Sequence, residues 1–250
     1  MKTPLFKSHY SIGKSILTLD AEHDDKGPDS ALCLAKEAGL KNIILVEDSI
    51  GGFMEAYKNA QELELKLIFG WRVSCVNDAK QEDNDSAHKV IIFARNTEGY
   101  HELVKVCTKA STDLKFKFPR VDFEYLHSVW SDNLVLMYPF YDSFVYNNLF
   151  TTKQCIPDFS LNPVMSLEDN GLLFDQALRD QVKQISKSEN LETEECQSVF
   201  YAKYDDFDAW VAFKCLSGRS FRGQASLSYP LLDFCSSNTF CLEHVLKNDD

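Results

Sequence analysis

The stretch Lys41-Asn-Ile-Ile-Leu-Val-Glu-Asp-Ser49 constrains this chain more than any other. Ile43 to Val46 are apolar and mostly β-branched, and they run straight into two acids, Glu47 and Asp48. An unbroken apolar strand has both faces covered, which is the pattern of a parallel sheet with helices packed on it. In such folds sites are built at the C-terminal ends of strands, where Glu47 and Asp48 stand. Gly51-Gly52 then lead into Phe53–Leu63, whose apolar residues recur near helical spacing. Lys66–Phe69 follows as a second apolar strand, ending at Gly70-Trp71-Arg72. This is one strand-helix-strand unit with charge at both strand exits.

The rest of the chain continues the alternation. Asp29-Ser30 can cap a helix over Ala31–Ala38, and Gly39 can close it. Lys89–Ala94 and Asn133–Tyr138 read as strands, Asn96–Cys107 and Asp142–Phe150 as helices, and Phe123–His127 as a short helix. Asn77–Ser86 is acidic and polar, as expected of a solvated loop, and Thr151–Asn170 is irregular. Leu173–Lys187 is an amphipathic helix, Ser198–Ala202 the last strand and Phe207–Leu216 the last helix. No low-complexity linker interrupts the chain. The expectation is one α/β domain over residues 1–250, its barrel ending at about residue 216 and a loop-rich tail following.

Net charge is −12, a field that repels nucleic acid unless cations cluster. Eight cysteines contain no C-x-x-C pair, so neither a structural zinc site nor a disulfide framework is expected. No apolar run reaches membrane length, and a soluble cytoplasmic protein is expected.

Several segments in this order resemble the polymerase and histidinol phosphatase (PHP) domain at the N-terminus of bacterial replicative DNA polymerase III alpha subunits. They are Ser8-His-Tyr-Ser11, Leu45–Gly52, Glu55–Ala60, Lys66–Gly70, Ala94–Tyr100 and Phe118-Pro-Arg-Val-Asp122. The resemblance implies a distorted β/α barrel of seven parallel strands. It also implies up to three metal ions, held by His, Asp, Glu and Cys, that activate water for phosphoester hydrolysis. This chain departs from that ligand set. Leu5 and Lys7 stand where the first H-x-H falls, Glu47 and Asp48 replace a D-H pair, and Arg72 replaces a glutamate. Lys89 replaces a histidine, and Ser198 and Phe200 replace the final D-x-H.

Cationic Lys and Arg cannot ligate a divalent metal, and Leu and Phe have no donor. A cleft that keeps acids without metals needs cations instead. The expectation is an ion-pair cluster in which Lys7 or Arg72 meets Glu47 or Asp48, with Lys89 as a third cation. Neither catalytic residue nor bound metal is expected. If a reduced set of Mn, Mg or Zn persists, its ligands would be Asp48, Glu47, His9 and His88. The remaining histidines, His23, His101, His127 and His244, have no ligand spacing.

No palm, thumb or fingers region follows, so the resemblance points to a stand-alone, phage-type module that does not polymerise. Two functions remain open: a degenerate, replication-associated module that binds a protein partner, and a metal-dependent exonuclease or phosphatase. Weak or no independent nucleic-acid binding is expected. Phe116–Arg120 interleaves aromatics with cations. The run either stacks single-stranded bases or is a solvated loop packed by its own rings, and the acidic whole weighs toward the second.

Overall fold

The computed structural model describes residues 2–22, 27–217 and 237–247. Among the described residues there are eight strands: β1 (Thr3–Phe6), β2 (Asn42–Glu47), β3 (Lys66–Cys75), β4 (His88–Ala94), β5 (Arg120–Val121), β6 (Leu134–Tyr138), β7 (Val164–Leu167) and β8 (Thr193–Val199). The helices are α1 (Ala31–Glu37), α2 (Phe53–Glu62), α3 (Thr97–Ser111), α4 (Phe123–Val129), α5 (Phe144–Phe150), α6 (Asp175–Glu189), α7 (Phe207–Ser217) and α8 (Leu242–Lys247). The hydrogen-bonded order is β2-β1-β8-β7-β6-β4-β3-β5, and β2 also pairs with β3. Seven strands therefore form a closed ladder, the α/β architecture expected, and β5 is an extra strand on β3.

The chain divides into two compact units: Met1–Ile68 with Asp169–Asp175 and Cys196–Asp250, and Phe69–Glu168 with Gln176–Glu195. In the first unit β1 pairs in parallel with β2, Leu5 opposite Ile44, and with β8, Leu5 opposite Ser198. Ser30 caps α1 by accepting from Leu32 and Cys33 N–H, and Gly39 closes it in the left-handed conformation at φ +70°. Phe200, Trp210 and Phe240 stack with ring centroids 5.4–6.1 Å apart.

In the second unit β4 departs from the all-parallel expectation. It runs antiparallel to β3, Ser74 opposite Lys89, and to β6, Ile92 opposite Leu136. The connection from β3 to β4 contains no helix to carry a parallel crossover, so the chain reverses. That connection is also better anchored than its acidic sequence implies. Val76, Ala79 and Ala87 are buried with Leu114 packed against them, and Ala79 N–H donates to Asp122 Oδ2 at 2.8 Å.

Three further differences concern elements. β7 lies within the segment read as irregular, and β8 begins at Thr193, before the expected Ser198. Exposed Glu194 and Glu195 break the apolar pattern there. The expected loop-rich tail falls mostly on residues 218–236 and 248–250, outside the described residues, but α8 lies within it. Among the described residues no helix is long and apolar enough to cross a membrane.

Candidate functional site

In the first unit, β1, β2 and β8 deliver the expected positions to adjacent strands. Glu47 ends β2 and is fully buried. Its Oε1 accepts from Ser8 N–H at 2.7 Å, and its Oε2 accepts from the Ser11 hydroxyl. Ser11 Oγ in turn accepts Asp48 N–H at 2.9 Å. Lys7, also buried, places Nζ 3.3 Å from Asp48 Oδ1. Burial pushes the Glu47 carboxyl above the usual carboxylate range, while the Lys7 charge and the Ser11 and Ser8 hydrogen bonds pull it back.

The expected pairing of Lys7 with a retained acid is thus present. Sequence reasoning used Ser8 and Ser11 only as a family likeness; here they supply donors to the buried acid. Tyr10, between them, donates to Glu55 Oε2 at 2.6 Å. Gly52 admits its ring, since a Cβ there would lie 2.6 Å from a Tyr10 ring carbon.

Leu5 is buried and apolar, paired in register with Ser198. Phe200 belongs to the aromatic stack. His9 is exposed and lies against Tyr10, ring centroids 4.6 Å apart.

In the second unit Arg72 pairs with Asp142. Asp142 was missed from the sequence. It follows the apolar strand β6 but lies beyond Pro139-Phe140-Tyr141, and its backbone is left-handed at φ +61°, a conformation Asp tolerates better than most residues. Lys89 also has its own local partner: Nζ donates to Ser74 Oγ at 2.8 Å, and its N–H donates to Asp142 O at 2.7 Å.

His88, next along β4, is buried, with its ring near Tyr138 and Phe144. Its Nδ1 lies 3.3 Å from Ser86 O, and Nε2 has no hydrogen-bond partner among the described residues. Burial, reinforced by the Lys153 charge and opposed by Ser86 O, lowers its pKa to about 4. A depressed histidine contributes stability that is present above its unfolded value and lost as pH falls toward its folded value. Urea unfolding is therefore expected to lose up to about 3 kcal/mol between pH 6.5 and 4 through this residue. Glu47 opposes part of that loss, because its raised pKa favours the protonated folded form. His88→Phe should flatten the profile; an unchanged pH slope would refute the assignment.

The metal set that the resemblance implies does not fit these residues. Both Glu47 oxygens accept from the chain's own donors, Asp48 faces an ammonium, Asp142 faces a guanidinium, and Leu5 and Phe200 offer no donor. Among the described residues no three His, Cys, Asp or Glu side chains are arranged to hold a metal ion.

A search of curated proteins finds no match. Among solved structures, it resembles a Bifidobacterium adolescentis protein whose description as a metal-dependent phosphoesterase is itself an inference. The TM-score is 0.46 and the identity 12%, covering 76% of this chain and 84% of that one. The PHP domain family matches residues 23–151, a span that holds Glu47, Asp48, Arg72, Lys89 and Asp142 and is just over half of the chain. This chain belongs to the PHP domain family.

Proposed function

We propose that this chain is a catalytically degenerate PHP module, akin to the one in polymerase III alpha subunits, that serves as a replication-associated protein-binding or regulatory factor. The observation that carries the reading is Lys7 Nζ, 3.3 Å from Asp48 Oδ1. A position that the family resemblance assigns to a ligand holds instead the counter-ion of a retained acid. Arg72 on β3, a second such position, pairs with Asp142, which lies between β6 and α5. A divalent cation entering either place would meet a positive charge before it met a free carboxylate, and like charges that close repel strongly when partly buried.

The test has two arms. Protein purified without chelator is analysed for Mg, Mn and Zn, and hydrolysis of a phosphodiester and a phosphomonoester is measured with each metal added. Neither bound metal nor turnover above the metal-only blank is expected. Metal at one or more equivalents together with hydrolysis abolished by Asp48→Asn would overturn the proposal and establish a metal-dependent phosphoesterase with a reduced metal set.

A further inference from the structure

Residues 115–119, Lys-Phe-Lys-Phe-Pro, carry a strained turn that the ion-pair cluster does not explain. Lys117 sits at φ +64°, and Phe118 N–H donates back to Phe116 O at 2.8 Å. This is a three-residue turn with a left-handed centre, the rare and strained form of the γ-turn. Such strain persists only where the surroundings impose it, and it concentrates at functional sites.

The base of the turn is fixed. The Arg120 guanidinium lies 5.3 Å from the Phe116 ring centroid, and Asn84 Nδ2 donates to Phe116 O at 3.3 Å. The tip is not enclosed: Lys115, Lys117, Phe118 and Pro119 are all exposed, with Phe118 at 37%. Lys89 Nζ, held by Ser74, stands 5.9 Å from the Phe118 ring centroid. A loop packed by its own aromatics accounts for Phe116 but not for Phe118.

We propose that this turn is a contact for single-stranded nucleic acid, in which a base stacks on Phe118 and flanking phosphates pair with Lys115 and Lys117. Three features favour that ligand. An exposed ring beside a fixed cation suits a π-faced, electron-rich partner, and the bases of a single strand supply one. An acidic peptide would use the lysines and leave the ring without a role. Duplex DNA hides its base faces, and two lysines on a chain of net charge −12 give few phosphate contacts to replace the stacking. DNA and RNA share the chemistry invoked, so binding should be weak and salt-sensitive, with sequence mattering little.

The experiment is fluorescence anisotropy with labelled oligo-dT, oligo-U, a matching duplex and an oligoglutamate peptide. Single strands are expected to bind at least about tenfold more tightly than the duplex or the peptide at low salt. Preference between oligo-dT and oligo-U assigns the strand type. Phe118→Ala should weaken single-strand binding about tenfold. Lys117→Gly should lower the slope of log K against log salt by about 0.7. It should also raise the melting temperature, because glycine adopts the left-handed turn without strain. Weaker binding by a more stable protein cannot come from unfolding. Unchanged affinity in Phe118→Ala would overturn the proposal, as would peptide or duplex bound as tightly as single strands.

Discussion

Arg120→Met is expected to cost about 3–5 kcal/mol of unfolding free energy, read from urea denaturation. Arg120 is 2% exposed. Its Nε donates to Leu114 O at 2.8 Å, and its Nη2 donates to Ala79 O and Gln81 O at 2.9 and 2.6 Å. Its Nη1 reaches Asp83 O and, at 3.4 Å, Asn84 Oδ1. One planar fork thus gathers the carbonyls of the β3–β4 connection that its own N–H groups leave unpaired. Methionine fills the volume but leaves those acceptors without donors, each costing about 1–3 kcal/mol if it stays dry. The total stays below their sum because an opened loop lets water in. Arg120→Lys should recover little, since an ammonium cannot span acceptors arranged for a guanidinium. A methionine variant within about 1 kcal/mol of the parent would show that the loop does not depend on this anchor.

Lys7→Met ranks second. Lys7 is buried and the Asp48 side chain is 29% exposed, so water reaches part of the pair. Removing the ammonium is expected to cost about 2–3 kcal/mol, below the figure for a fully dry pair. A cycle with Asp48→Asn should give a coupling of about 1–2 kcal/mol, and simple additivity would mean that the pair contributes nothing. Glu47 adds a pH signature. Its raised carboxyl pKa gives stability present in acid and lost as pH rises through the folded value. Without Lys7 the folded value rises further. The Lys7→Met defect should therefore be smaller at mildly acidic pH than above neutrality, and a defect independent of pH would uncouple the two residues.

What the residues announced, and what they hid, divides along physical lines. Ile43–Val46, α2 and β3 were readable because their apolar periods match their burial. The capped helix α1 was readable because Ser30 and Gly39 have local chemistry. β7 was not, because Val164–Leu167 is too short for a period and follows Pro163. Lys7 found an acid because β1 and β2 are neighbours by simple strand logic. That Arg72 pairs with Asp142 was not legible, because the reversal of β4 sets its surroundings, and that reversal depends on a connection whose anchor, Arg120, shows in no periodicity. The partners of a charged side chain are long-range facts that strand and helix patterns do not encode.

The pairing of β1 with β8 has a kinetic consequence. Thr3 waits for Cys196, more than three-quarters of the 250-residue sequence away, before its second edge is covered. During synthesis Thr3–Phe6 precedes the other described strands, so one edge of unpaired N–H and C=O groups stays open until β8 has been made. Closing so long a loop is slow, since its entropy must be lost before the contact repays it. Throughout that interval β1 offers an open edge on which another chain could pair.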